Sequence, residues 1–192
     1  MGVAEFRPPK WSKPRPLGYG NAVESVGTVA SPLLAGFSLA SVVVVSDDST
    51  NFRWPGAAVF ALVVAAVMLI AAVQCGFNAR QYLWSGAEVR EWWPDMKDDS
   101  DREAVLSEQQ ALAFHRWDVW ATWMRITYNF GILALLLGLA LALPPQHDTD
   151  AQASWRWAAV GLAFAACAAE VCWIIVGFWS RFREGRKIGG TA

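Results

Sequence analysis

The sequence predicts an all-α integral membrane protein with four transmembrane helices and a cytoplasmic, amphipathic helical insert between the second and third. Hydrophobic residues make up 55% of the 192 residues, and they are gathered into four long stretches that contain few charges. Many of the 12 tryptophans lie near the ends of these stretches, as is typical of residues at a membrane interface. We therefore expect a single domain with spans at 26–45, 56–77, 119–143 and 155–179.

A basic, proline-rich arm occupies residues 1–25. Four basic residues alternate with four prolines, a composition that favours an extended chain: Arg7, Lys10, Lys13, Arg15 and Pro8, Pro9, Pro14, Pro16. The arm is typical of a tether beside a membrane. Its basic residues would also attract anionic lipids of the cytoplasmic leaflet, by about 1 kcal/mol each.

Small residues follow one another through the first span: Gly27, Ser31, Ala35 and Gly36. They permit close approach of a neighbouring helix. Pro32 predicts a kink in the first half of this span, because proline cannot donate the hydrogen bond that a regular helix needs there. A cleaved signal peptide is the alternative interpretation, but the apolar run continues through Val45 and argues against it.

The second span begins at Trp54-Pro55-Gly56, where proline suits the first turn of a helix and tryptophan suits the interface. Beyond the span, Gln74, Asn78 and Gln81 recur on one helical face. We therefore expect the helix to continue past the span and to stop at Gly86.

The insert, residues 78–118, is rich in acidic residues. Glu88 to Pro94 places two tryptophans beside charged residues, which predicts a short interfacial helix ended by proline. Ser100 to Glu103 fits a capping box, so a second helix should begin there and run into the third span.

Two further helices complete the predicted bundle. On the third, Gly131, Ala134 and Gly138 form a small-residue face suited to tight helix contact, and Pro144-Pro145 should end the helix. The fourth leads into a basic tail, residues 180–192, which again suits the cytoplasmic side.

An intramembrane polar cluster is the first candidate site. Glu170 lies in the fourth span, where a charge costs about 2.5 to 3.5 kcal/mol on insertion scales, so it should be protonated, paired or turned inward. On the third span, Arg125 and Asn129 share a face, and Asn129 matches Glu170 in depth. With Gln74 these residues either fix how the helices pack or form a proton or cation pathway.

An interfacial aromatic collar is the second candidate site, made by tryptophans of the inner side: Trp84, Trp92, Trp93, Trp117 and Trp120. The simpler interpretation is an aromatic belt at the membrane surface. The sharper hypothesis is that the insert lies on the membrane and offers a surface to a cytosolic partner, whose choice would depend on the surrounding charges.

The residue pattern favours no catalytic chemistry. No nucleophile and base form a recognisable pair, and the predicted topology places His115 and His147 on opposite sides of the membrane. No histidine lies in a predicted span, and the three cysteines form no CxxC pair. Phosphate-binding glycine loops are also missing from the sequence, and no feature suggests nucleic-acid binding. We expect no enzyme activity, no cofactor and no metal.

The distribution of basic residues predicts the topology. Thirteen of the 16 Lys and Arg residues fall in the arm, the insert and the tail, so these segments should be cytoplasmic. The excess of arginine over lysine hints at a bacterial source, and we expect a multi-pass protein of the bacterial inner membrane. The leading hypothesis is a non-catalytic scaffold, anchor or effector subunit, with a homo-oligomer formed through the Gly/Ala faces as a candidate assembly. The alternative is a small proton- or cation-coupled transporter or channel using Glu170.

Overall fold

The computed structural model describes residues 19–94, 100–145 and 152–188. Every regular element in these ranges is helical. Four helical stretches in them are long and apolar enough to cross a membrane: Tyr19–Asp47, Pro55–Arg80, Arg102–Ala142 and Ala153–Gly177. The predicted all-α class and the four long apolar helices are therefore confirmed. Residues 1–18 of the arm, the 95–99 stretch, His147 and the last residues of the tail lie outside the described ranges.

Six α-helices are described, with bounds as follows: α1 Tyr19–Ser25, α2 Ser31–Asp47, α3 Pro55–Arg80, α4 Gly86–Trp92, α5 Ser100–Ala142 and α6 Ala153–Ile188. A π-helical turn, Val26–Ala30, joins α1 to α2, and a 3-10 turn, Ser49–Asn51, follows α2. At 43 residues, α5 is about 65 Å long, roughly twice the thickness of a hydrocarbon core.

Three of the predicted helix boundaries are confirmed, whereas the arm predicted as extended over residues 1–25 is helical from Tyr19 onwards. Helix α3 begins at Pro55, α5 begins at Ser100, and α5 ends at Ala142, just before the Pro144-Pro145 pair. The side chains of Ser100 and Asp101 are not described, so the capping box predicted there stays a prediction.

The role predicted for Gly86 is wrong. Helix α3 ends at Arg80, and Gly86 begins α4. The reason lies in the residue before it, since Ser85 is the N-cap of α4 and its side chain accepts the backbone N–H of Glu88 at 3.2 Å. The Glu88 carboxylate in turn accepts the backbone N–H of Ser85 at 2.5 Å, which completes a capping box.

The π-helical turn lies immediately before Pro32, where the sequence predicts a kink. Proline has no N–H to offer the carbonyl of Thr28, and its ring collides with that carbonyl in a regular α-helix. A wider helical turn at Val26–Ala30 relieves that conflict. The Thr28 hydroxyl donates to the Glu24 carbonyl at 2.8 Å within the same region.

The chain divides into two compact units, here called the first and second units. The first unit comprises residues up to Ala30 together with Ala72–Arg125, and the second comprises Ser31–Ala71 and Ile126–Ala192. Helices α3 and α5 each contribute residues to both.

In the second unit, α2 packs on α3 through small and hydroxyl-bearing residues. Ser38 is fully buried, and its hydroxyl donates to the Leu62 carbonyl of α3 at 2.6 Å. A cluster of buried apolar residues continues this contact: Val45, Ala58, Leu62, Ala65 and Leu135. The serine hydroxyl thus adds an interhelical hydrogen bond to the packing of small residues along this seam.

Helix α3 also meets the predicted small-residue face of α5. A Cβ built on Gly131 would lie 2.7 Å from Leu69 Cγ, and one built on Gly138 would lie 2.8 Å from Leu62 Cγ. Each leucine of α3 therefore occupies a space that only glycine leaves on α5. The prediction that this face makes tight helix contact is confirmed, and the contact is made within the chain.

Helix α6 is the least covered of the four long helices. Only 6% of its most apolar stretch is buried within the protein, compared with 39% for α3. Arg156 anchors its beginning, because the guanidinium donates to the Leu143 carbonyl at 2.9 Å and to the Pro144 carbonyl at 3.5 Å. Leu143 and Pro144 directly follow α5, which ends at Ala142, and backbone carbonyls at a helix end lack partners within the helix.

The first unit is built around Trp117, which is 2% exposed. Its indole meets the Tyr19 ring edge-on, with centroids 5.6 Å apart, and the Phe114 ring at 5.0 Å. Close backbone approach adds to this core, since a Cβ on Gly76 would lie 3.4 Å from Gly27 Cα and 3.0 Å from Met124 Sδ. Glu24 and Arg80 form an ion pair at the rim of the unit.

Candidate functional site

Two adjacent tryptophans at the end of α4 are exposed on the first unit. Trp92 is 61% exposed and Trp93 is 43% exposed. Their rings are nearly perpendicular, at 83°, with centroids 6.2 Å apart. Arg102 lies over the Trp93 ring at 5.9 Å, and Glu91 is exposed beside Trp92. We call Glu91, Trp92, Trp93 and Arg102 the tryptophan surface.

Four features hold the helix that carries this surface. The capping box at Ser85 sets the start of α4, and Val89 buries its side chain almost completely. Arg90 then pairs with Glu103 of α5 at 2.8 Å. Before α4, the Trp84 carbonyl accepts a hydrogen bond from the Gln110 side chain at 3.2 Å. These contacts join α4 to α5, so the exposed indoles lie at the end of a packed helix.

The other tryptophans of the predicted collar lie in different environments. Trp117 is in the core of the first unit, whereas Trp84 and Trp120 are half-buried. The exposed part of the predicted collar is therefore the Trp92–Trp93 pair.

The residues of the predicted intramembrane polar cluster are divided between the two units. Gln74, which is exposed, and Arg125, which is half-buried, belong to the first unit. Asn129 and Glu170 are both half-buried in the second unit. The pairing of Glu170 with Arg125 stays a prediction.

Tyr128 is a neighbour of Glu170 that the sequence analysis missed. Tyr128 of α5 and Glu170 of α6 lie within electrostatic range of each other, and both residues belong to the second unit. Tyr128 lies between Arg125 and Asn129 on α5, so its position was within the stretch that the polar stripe marked. The polar face of α5 was predicted from charged and amide side chains alone, and a tyrosine in an apolar helix is usually interpreted as an interfacial or core residue.

The capping box at Ser85 and Glu88 could also have been predicted from the sequence. Ser85-Gly86-Ala87-Glu88 has the spacing of a capping box, directly before a short helix. By contrast, the Arg90–Glu103 pair joins residues 13 positions apart, and the hydrogen bond from Gln110 to Trp84 joins residues 26 positions apart. No helical periodicity links such positions, so only the folded structure identifies them.

The segment that carries the tryptophan surface is acidic in sequence. The insert, residues 78–118, holds nine acidic and five basic residues. Two of these basic residues are engaged close to the surface, Arg90 with Glu103 and Arg102 with the Trp93 ring. The exposed aromatic area thus belongs to a segment of net negative charge.

Among the described residues, no group of three or more His, Cys, Asp and Glu side chains is arranged to hold a metal ion. No known protein family, curated protein or solved structure matches the chain.

Proposed function

We propose that the protein is a non-catalytic, multi-pass protein of the bacterial inner membrane that acts as a scaffold, anchor or effector subunit. It works by presenting the tryptophan surface to a cytosolic protein. The exposed Trp92–Trp93 pair at the end of a packed helix is the observation that carries this proposal. Tryptophan supplies more binding energy at protein interfaces than most residue types, and a packed helix lowers the entropy lost on binding.

The proposed topology places the tryptophan surface in the cytoplasm. Arm, insert and tail hold 13 of the 16 basic residues, and the four long apolar helices return the chain to the same side after each pair of crossings. The arm and the tail would then contact anionic lipids of the inner leaflet.

The charge of the insert supports a protein partner over the membrane itself. An acidic segment is repelled by an anionic leaflet, so the aromatic side chains gain less from lying on it. A basic protein surface would meet the same charges favourably and would associate faster. We therefore assign the surface to a partner with a basic binding face, and membrane contact becomes an outcome of the test.

The test begins with photo-crosslinking in cells, using benzoylphenylalanine at position 92 of the full chain. We expect an adduct with one defined protein, and that protein, once purified, should bind about tenfold more weakly to Trp93→Ala. Leu112→Ala is the matched control, because Leu112 is an exposed apolar residue of the same unit. Adducts with lipid alone, or equal affinities for the two variants, would contradict the proposal.

A second candidate function is proton- or cation-coupled transport through Glu170. The half-buried position of Glu170 in a long apolar helix favours it, because intramembrane acids commonly mark ion pathways. Purified protein in proteoliposomes decides between the candidates. A flux driven by a pH or cation gradient and abolished by Glu170→Gln would favour the transporter, whereas tight vesicles would favour the scaffold.

A further inference from the structure

Residues 1–18, the part of the arm that precedes α1 and is called the arm from here on, have a composition complementary to the tryptophan surface. They contain four basic residues, one acidic residue and four prolines. Proline-rich segments bind exposed aromatic rings in several recognition modules, since they lose little conformational entropy on binding. Basic residues flanking the prolines are opposite in sign to the net charge of the insert that carries Trp92 and Trp93.

The arm also starts in the correct place. Tyr19, its point of attachment, packs on Trp117 in the core of the first unit. A Cβ built on Gly20 would lie 3.2 Å from the side chain of Leu83, which is two residues before the N-cap of α4. The arm therefore leaves the same unit that displays the tryptophan surface, close to the start of α4.

Its length is ample for the distance to be covered. Helix α4 has seven residues and is about 10 Å long. Eighteen residues in a polyproline conformation span about 56 Å, so fewer than half of them reach from Leu83 past the end of α4. Lys13 and Arg15 lie within this stretch, and Lys10 and Arg7 lie farther along the arm.

We propose that the N-terminal arm docks on the tryptophan surface of its own chain and occupies the partner site in the resting state. The arm then acts as an internal pseudo-ligand. A cytosolic partner must displace it, and the partner segment that does so has the same chemistry, basic and rich in proline. This inference rests on the proposed function, because it names the partner class and the regulation of the same surface.

Cysteine crosslinking in the full chain tests the docking. Cys75, Cys167 and Cys172 are first replaced by alanine, and single cysteines are then placed at Arg7, Lys10, Lys13 or Arg15. Each is combined with Ala87→Cys, which lies on the exposed side of α4 and leaves every charged and aromatic residue of the surface in place. Leu112→Cys is the control position, exposed on α5 two residues from the buried Gln110 and on the opposite side of the helix.

We expect a short bis-maleimide to join Ala87→Cys to at least one arm position several-fold faster than it joins Leu112→Cys. Adding Trp92→Ala and Trp93→Ala should reduce the rate to that of the control. High salt should do the same, since it shortens the screening length from about 10 Å at 0.1 M to about 3 Å at 1 M. Equal rates at positions 87 and 112 would overturn the inference, and so would crosslinks found only between differently isotope-labelled copies.

A binding measurement separates this inference from the proposed function. The probe is a labelled peptide of residues 1–18, added to the full chain with Lys10→Glu and Lys13→Glu in its own arm. We expect the peptide to bind several-fold more tightly to this variant than to the wild-type chain, because the internal competitor is weakened.

If crosslinking fails while Trp93→Ala still weakens binding of the cytosolic partner, the arm is not the occupant but the surface is a partner site. If crosslinking succeeds while Trp93→Ala leaves the partner unaffected, the arm docks and the proposed function is wrong.

Discussion

Leu69 of α3 fills the space above Gly131 of α5, so closely that a Cβ added to the glycine would lie 2.7 Å from Leu69 Cγ and 2.9 Å from its Cδ2. The same relation recurs seven residues along each helix, between Leu62 and Gly138. Two leucines on one helix thus face two glycines on the other, and the helix axes approach closely along this line.

The first prediction follows from that contact. Gly131→Ala should destabilise the protein by about 1 to 3 kcal/mol, because the added methyl group overpacks a filled site. Gly161→Ala is the matched control on α6, where nothing lies within 4 Å of a built Cβ, and it should be neutral or stabilising by up to about 1 kcal/mol. Unfolding in mixed detergent micelles measures both. Equal stabilities would mean that Leu69 moves aside at no cost.

The second prediction concerns Arg156, which bonds the carbonyls of Leu143 and Pro144. Arg156→Ala should cost about 1 to 3 kcal/mol, since it removes charged donors from backbone acceptors near the end of α5. Arg156→Lys should recover part of the loss, because it keeps the charge but not the planar set of donors. Arg53→Ala, which removes an arginine stacked on Trp54, should have little effect on the same unfolding transition.

The third prediction concerns the N-cap of α4. Ser85→Ala should destabilise this helix by about 1 kcal/mol, because the Glu88 amide loses its acceptor. Ser85→Asp should restore it, since aspartate caps as well as serine does. Hydrogen exchange of the α4 amides is the measurement, and faster exchange confined to this helix is the expected result. Unchanged exchange in Ser85→Ala would show that Val89 and the Arg90–Glu103 pair hold α4 without the cap.

The fourth prediction is the topology. Alkaline phosphatase fused after Lys187 should be inactive, because the tail is expected in the cytoplasm, where the enzyme does not form its disulfides. A fusion in the loop between α2 and α3, for example after Asn51, should be active. Activity after Lys187 would overturn the proposed location of both the tail and the tryptophan surface.

The sequence predicted the long helices because length and apolar composition alone determine whether a stretch can cross a membrane. Prolines at 55, 144 and 145 marked ends that the structure confirms, since proline acts locally on the backbone. The contact face of Gly131, Ala134 and Gly138 was likewise predicted, because small residues at helical spacing in a transmembrane helix favour close helix packing. The error at Gly86 came from reading a glycine as a helix stop without weighing the serine before it.

The site was harder to predict, and for a physical reason. The sequence predicts an interfacial position for most of its 12 tryptophans and does not distinguish buried from exposed ones. In the structure Trp117 lies in a core, whereas Trp92 is exposed. What separates them is the packing of Tyr19 and Phe114 on the Trp117 ring. Such packing depends on contacts between distant positions, which helical periodicity does not encode.

The unequal covering of the long helices predicts how fast each will change during evolution. Along α3, the residues with no exposed surface include alanines that leave no room for a larger side chain, namely Ala58, Ala65 and Ala72. Substitutions there are removed by selection, because each would push two packed neighbours apart. The outer face of α6 carries no such restraint beyond being apolar, so in homologous chains α6 should diverge several-fold faster than α3 while keeping the same hydropathy.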